Sequence, residues 1–123
     1  WVVLALASVE ADLDPSDALA ASERAIEIAG PSVLTVDALA QAQLAAGDAE
    51  TAEQTFRRAV GIDADAPAPR VGLAEALAAQ QRTGDARRII RDPLLRRDVE
   101  KHTLLQSRIE RLRKATGLQS RSE

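Results

Sequence analysis

Apolar residues recur along the chain at spacings of three and four positions, which is the pattern of helices that bury one face. The segment from Val33 to Leu44 is typical, because Ser32 precedes it as an N-cap and Gly47 follows it as a helix stop. Connections of about two to five residues require neighbouring helices to lie antiparallel. No segment of the sequence alternates apolar and polar residues as a strand does, so the pattern predicts an all-α fold. Further helix starts are predicted at Asp14-Pro15, Asp48, Pro67 and Asp92-Pro93.

A fixed interval relates these helices to one another. Ala18, Ala52 and Ala86 follow each other at 34 residues, and Leu39-Ala40 and Leu73-Ala74 keep the same interval on the partner helices. A helix pair that recurs in this way, with a small residue where its helices touch, buries its apolar face only by stacking on the next pair. The sequence therefore predicts a helical repeat.

In these residues the chain resembles the tetratricopeptide repeat family. Residues 33–66 carry the resemblance best, with Leu39-Ala40 at the close contact between two helices and Gly47-Asp48 in the turn that joins them. The second helix of this repeat is lined by Ala52, Phe56 and Ala59, which we expect to be buried together with Ala40.

The resemblance implies a right-handed α-solenoid of about three antiparallel helix-turn-helix repeats with a capping helix at the C-terminal end. The third repeat is expected to be degenerate, because Gln81 replaces the turn glycine and Pro93 cuts the second helix short. The implied boundaries are 1–32, 33–66 and 67–98 for the repeats, 99–117 for the capping helix and 118–123 for a flexible tail.

The C-terminal segment predicts one amphipathic helix that begins at Asp92-Pro93 and ends near Thr116-Gly117. Its remaining faces are rich in arginine and lysine and so provide the polar outer face that a solenoid needs at its terminal element. The alternative is a basic helix that docks on a membrane or on another protein, but the apolar stripe has no bulky aromatic residue to insert into lipid. The stripe consists of Leu95, Val99, Leu105, Ile109 and Leu112.

Composition and charge exclude several classes of function. The chain has no cysteine and one histidine, His102, which excludes disulfides, Cys-ligated zinc and a histidine-rich metal site. Residues 1–69 carry twelve acidic and three basic residues, whereas residues 70–123 carry seven and thirteen, and the acidic half argues against nucleic acid as a partner.

The apolar run Trp1–Ala7 is too short to span a bilayer; we expect a truncated buried helix, the alternative being the tail of a signal or membrane segment. Without methionine even at position 1, the sequence is expected to be a processed chain or a piece of a longer protein.

No constellation of residues predicts catalysis or a cofactor. His102 is expected on the polar side of a charged helix, where a solvated surface histidine is the simplest interpretation. Asp63 and Asp65 fall in a turn, where aspartate is a common capping residue, and no further calcium ligands accompany them. The glycines are isolated and form no phosphate-binding loop. We therefore expect no enzymatic activity, no cofactor and no metal.

By resemblance, the first helix of each pair lines a concave groove that binds a partner protein. Its acidic and apolar residues favour a basic or apolar peptide or helix, and the Lys, Arg and Asn side chains with which some members grip a C-terminal carboxylate are missing. The groove candidates are Val3, Ala7, Glu10, Asp37, Gln41, Leu44, Val71, Glu75 and Ala78.

Two alternatives to a binding groove stay open at the level of sequence. The acidic residues could serve solubility alone, in a structural module packed against the rest of a larger protein, for example an enzyme or a membrane-anchored protein. The opposite charges of the two halves could also drive head-to-tail self-association. Membrane contact through this segment is not expected.

Overall fold

The computed structural model describes residues 14–100 and 102–117, and within these ranges all regular secondary structure is helical. The predicted all-α fold is thereby confirmed. Two expected elements, the first helix of the first repeat and the flexible tail at 118–123, lie outside the described residues. The helices are α1 (Pro15–Ala29), α2 (Val33–Ala45), α3 (Ala49–Ile62), α4 (Pro67–Ala79), α5 (Thr83–Ile90), α6 (Pro93–Val99) and α7 (Thr103–Ala115).

Helices α1 to α5 pack in chain order, each on the next, as stacked helical hairpins do. Helix α2 also contacts α4, its equivalent in the following repeat. The turns are short because capping residues end and start the helices abruptly; Ser32, for example, forms a reciprocal capping box with Thr35 at the start of α2. This arrangement confirms a helical repeat, whereas its right-handed sense stays a prediction.

Alanine at the repeat interval sets the distance between the helices. Ala18 on α1, Ala52 on α3 and Ala86 on α5 have no exposed surface. Ala40 and Ala59 are also fully buried, as expected, because a larger side chain at these contacts would push the helices apart. Phe56 is completely buried as well and is the largest side chain of the core.

A buried carboxylate joins the second repeat to the third. Glu53 Oε1 on α3 accepts hydrogen bonds of 2.9 Å from both Gln80 Nε2 and Arg82 Nη1, near the turn that follows α4. Its Oε2 accepts from Arg57 Nε at 3.0 Å. The hydrogen bond from Gln80 is the main cause that lowers the pKa of Glu53, and Arg57 and Arg82 lower it further against the opposing effect of burial. Glu53 is therefore held ionised at the contact of three helices.

The turn of the third repeat keeps the backbone of the second, although the residue differs. Gly47 has φ of 91° and donates its amide to the Leu44 carbonyl at 3.0 Å; Gln81, 34 positions later, has φ of 65° and donates to the Ala78 carbonyl at 3.0 Å. The left-handed conformation is free of strain for glycine but not for glutamine. The helical contacts on both sides hold Gln81 in it.

Replacing Gln81 by glycine is therefore expected to raise the free energy of unfolding by about 0.5–1 kcal/mol, because it removes this strain. The opposite change at the equivalent position, Gly47→Ala, should lower the free energy of unfolding by about 1 kcal/mol because of backbone strain alone. A Cβ at Gly47 meets no atom within 4 Å, so no steric clash adds to this effect. Urea denaturation of both variants measures the two effects. A Gln81→Gly variant less stable than the parent would contradict the assignment of this turn.

The C-terminal helix predicted from Asp92 to about Thr116 is two helices instead of one. Helix α6 ends at Val99, and α7 begins at Thr103 after the extended residue His102 (φ −127°, ψ 97°). The spacing of the apolar residues explains the break between the two helices. Leu105 follows Val99 by six positions, whereas successive apolar residues on one face of a continuous helix are three or four positions apart. The capping helix expected over residues 99–117 is thus the shorter α7, and His102 is its N-cap instead of lying within a helix.

Helix α7 closes the end of the solenoid. It packs on α4 and α5, and Leu105, Ile109 and Leu112 are buried in the same core as Phe56. Arg87 Nε on α5 also donates to the carbonyl of Thr116 just after α7, at 2.5 Å. The apolar stripe of α7 is therefore buried against the third repeat, as expected of a capping helix.

Candidate peptide-binding groove

The side chains of α2, α4 and α7 border two adjoining open cavities. The first, of about 590 Å³, is named here the Glu75 cavity and the second, of about 550 Å³, the Asp37 cavity. Gln41, Leu104 and Arg108 line both cavities, so that together they form one continuous groove. The Glu75 cavity is further lined by Leu44, Ala45, Glu75, Ala79 and Arg111, and the Asp37 cavity by Leu34, Asp37, Ala66, Pro67, Ala68, His102, Thr103 and Leu105.

The structure brings four of the predicted groove residues together and places two others, Val71 and Ala78, outside the groove. Asp37, Gln41, Leu44 and Glu75 line the groove. Val71 has no exposed surface, which corrects the expectation that it faces a ligand, because α4 turns this side chain into the core. Ala78 lines neither cavity and packs against the core at half burial, while Val3, Ala7 and Glu10 lie outside the described residues.

Helix α7 contributes residues to the groove that the sequence did not assign to it. Leu104, Arg108 and Arg111 follow each other at spacings of four and three, directly beside the buried stripe of the same helix. Such spacing indicates a second face of α7. Only the tertiary packing shows that this face borders the groove.

An ion pair between α7 and α4 neutralises part of the expected acidity. Arg108 Nε donates to Glu75 Oε2 at 3.0 Å and to Oε1 at 3.2 Å, and its Nη2 also donates to Oε1. Arg108 is buried and Glu75 is half-buried, so water screens the pair only partly. Glu75 is therefore engaged by the chain's own arginine, whereas the sequence predicted that it meets a ligand.

Asp37 is the unusual group of the groove. Only 5% of its surface is exposed; Oδ2 accepts a 2.7 Å hydrogen bond from Gln41 Nε2, and Oδ1 is buried with no hydrogen-bond partner among the described residues. Burial raises the pKa of Asp37 from its usual 3.8 to about 6; the bond from Gln41 and the charge of Arg108 oppose this rise, and the charge of Glu75 adds to it. At neutral pH the carboxylate is still mainly ionised.

Two exposed leucines line the same cavity as this carboxylate. Leu34 on α2 is 52% exposed and Leu104 on α7 is 58% exposed, and both border the Asp37 cavity. Leucines this exposed do not contribute to the core, and they leave apolar surface in the cavity that the buried charge lines.

The described residues contain neither a metal site nor a helix that could span a membrane. Residues 14–100 and 102–117 contain no cluster of three or more His, Asp or Glu side chains that could hold a metal ion, and His102 is exposed. Within the same ranges no helix has the length and apolar character needed to cross a bilayer.

Comparison with known proteins gives one match. A family model described as tetratricopeptide repeat matches residues 43–109, more than half of the chain. The match begins near the end of α2 and reaches into α7, so it includes the third repeat with its glutamine turn. No curated protein and no solved structure matches the chain.

Proposed function

The chain belongs to the tetratricopeptide repeat family, and from this premise we propose that it is a scaffold whose groove binds a peptide or helix of a partner protein. Repeats of this family generally mediate protein–protein interaction, and the domains they form are typically non-catalytic. The finer statement, binding in the groove between α2, α4 and α7, is our proposal for this chain.

The observation that carries the proposal is the combination of exposed leucine and buried acid along one open groove. A partner segment lying between Leu34 and Leu104 would bury apolar surface at about 25 cal/mol per Å². The groove is open to solvent along the described residues, so an extended segment or one helix face can enter without unfolding the repeat. The expected partner is therefore a protein with an apolar segment that carries positive charge.

The test is a selection from a displayed library of random dodecapeptides, at low and at high salt. We expect selected peptides to be apolar and cationic, to bind at about micromolar affinity and to bind more weakly in high salt. Leu104→Ala should lower their affinity about tenfold by removing apolar contact. Leu94→Ala is the matched control, because Leu94 is 59% exposed and lines neither cavity.

A library without binders, or binders whose affinity is unchanged by Leu104→Ala, would contradict a binding groove. Sedimentation of the same preparations tests the alternative of a structural or self-assembly module. Salt-sensitive oligomers without peptide capture would favour head-to-tail association between the acidic and basic halves.

A further inference from the structure

We propose that Asp37 is the anchoring subsite for one cationic side chain, a lysine or an arginine, of a partner segment whose neighbouring apolar residues contact Leu34 and Leu104. This inference rests on the proposed function and specifies the chemistry of the partner.

The first observation is the unsatisfied oxygen of Asp37. A buried carboxylate oxygen without a hydrogen bond destabilises the free protein, since water no longer solvates it. Oδ2 is satisfied by Gln41, whereas Oδ1 lacks a partner among the described residues, and the carboxylate lines an open cavity of about 550 Å³. An ammonium or guanidinium group entering this cavity would supply the opposite charge, and a rotation of the Asp37 side chain that exposes Oδ1 would let the same group supply the missing donor.

The second observation is that Arg108, the arginine that lines the Asp37 cavity, already holds another carboxylate. Arg108 is held by both carboxylate oxygens of Glu75. Its charge acts on Asp37 from a distance and lowers the pKa of that carboxyl, but this effect is smaller than the opposing effect of burial. The groove thus contains two acidic groups, one of which is matched by an arginine of the chain.

The third observation limits the number of positive charges on the partner. Arg108 lines both cavities, and Arg111 lines the Glu75 cavity, which adjoins the Asp37 cavity. A run of several cations would bring a second positive charge towards these arginines, and like charges repel. The groove therefore favours a single cation between apolar residues over a polybasic segment.

The experiment uses capped peptides with a central Ala-Leu-X-Leu-Ala sequence, in which X is arginine or its neutral isostere citrulline. Binding is followed by NMR titration. The arginine peptide is expected to bind about tenfold more tightly than the citrulline peptide at low salt. A third peptide, with three consecutive arginines at the centre, should bind no more tightly than the single-arginine peptide.

Asp37→Asn tests the assigned group directly, because asparagine keeps a carbonyl oxygen for Gln41 and loses the charge. We expect this variant to bind the arginine and citrulline peptides equally. Asp17→Asn makes the same chemical change at an exposed position in the first turn of α1 and should preserve the tenfold preference. Melting curves of Asp37→Asn check the fold, and we expect a melting temperature no lower than the parent's, since a buried charge is removed.

The pH dependence gives a second readout. The charged form of Asp37 binds the cation, so affinity for the arginine peptide should fall as pH is lowered through about 6, where this carboxyl takes up its proton. Glu75 on α4, His102 at the N-cap of α7, and Arg108 and Arg111 on α7 also border the groove, and the titration is therefore repeated with His102→Gln. The dependence should persist in His102→Gln and vanish in Asp37→Asn.

Three results would overturn the inference: equal binding of the arginine and citrulline peptides, an arginine preference that survives Asp37→Asn, or no binding of any peptide at millimolar concentration. Peptides that lose affinity with Leu104→Ala but are indifferent to Asp37→Asn would retain the groove as the binding site and remove only the cation subsite. Library binders that are insensitive to both variants would contradict the groove itself.

Discussion

Replacing Phe56 by alanine is expected to lower the free energy of unfolding by about 3–5 kcal/mol, a large fraction of the total for a domain of this size. Phe56 is fully buried in the core that α3, α4 and α5 share with α6 and α7. Among the described residues no other aromatic side chain belongs to this core, so none is at hand to fill the cavity that the loss of Phe56 creates. Urea denaturation of the variant measures the effect.

Ile62→Ala is the matched control, because Ile62 belongs to the same helix and is 47% exposed. A change within about 0.5 kcal/mol is expected there. Equal losses for the two variants would mean that Phe56 does not occupy the centre of the core.

Replacing Gly72 by alanine is expected to lower the free energy of unfolding by about 1–3 kcal/mol, although alanine is the better helix former. A Cβ on Gly72 would lie 2.2 Å from Cε1 and 2.5 Å from Cζ of Phe56. Since these ring atoms lie inside the packed core, α4 must move away from α3 or the ring must leave its rotamer. Thermal and urea denaturation measure the result.

Gly61→Ala separates the steric effect from helix propensity. Gly61 lies within α3, and a Cβ there meets no atom within 4 Å, so this variant should be stabilised by up to about 1 kcal/mol. In a Phe56→Leu background the clash disappears, and Gly72→Ala should then cost much less than in the parent chain. A fully additive double variant would contradict the contact between Phe56 and Gly72.

The repeat architecture could be predicted from the sequence because it depends on helix-capping and turn residues and on one repeat length of 34 residues. Ser32 and Gly47 set the bounds of α2 through backbone hydrogen bonding within a few residues. The interval that relates Ala18, Ala52 and Ala86 predicted the helix contacts, since only small residues fit where two helices approach closely. These features were confirmed, and so was the burial of Phe56.

The details of the candidate groove could be predicted only in part. Asp37, Gln41, Leu44 and Glu75 were assigned to it from the face of a helix in the family's arrangement; they line the two open cavities, and their contact with a peptide stays a prediction. Val71 was predicted to face the groove but is buried in the core. The apolar residues of this helix cover a wide face, and the sequence does not reveal which side of that face packs on the core.

The sequence by itself determined the helices of the repeats, their antiparallel pairing, the repeat interval and the small residues at the contacts, because each depends on local backbone preferences or on spacing along one helix. It did not predict the break between α6 and α7. Tertiary structure alone decided where α7 lies, which carboxylate its Arg108 meets, and that one oxygen of Asp37 has no hydrogen-bond partner within the part of the chain that the structure describes. Glu75 and Arg108 are 33 positions apart in the sequence. A contact across such a distance depends on how whole helices pack, and neither the charge pattern nor the periodicity of a single helix contains that information.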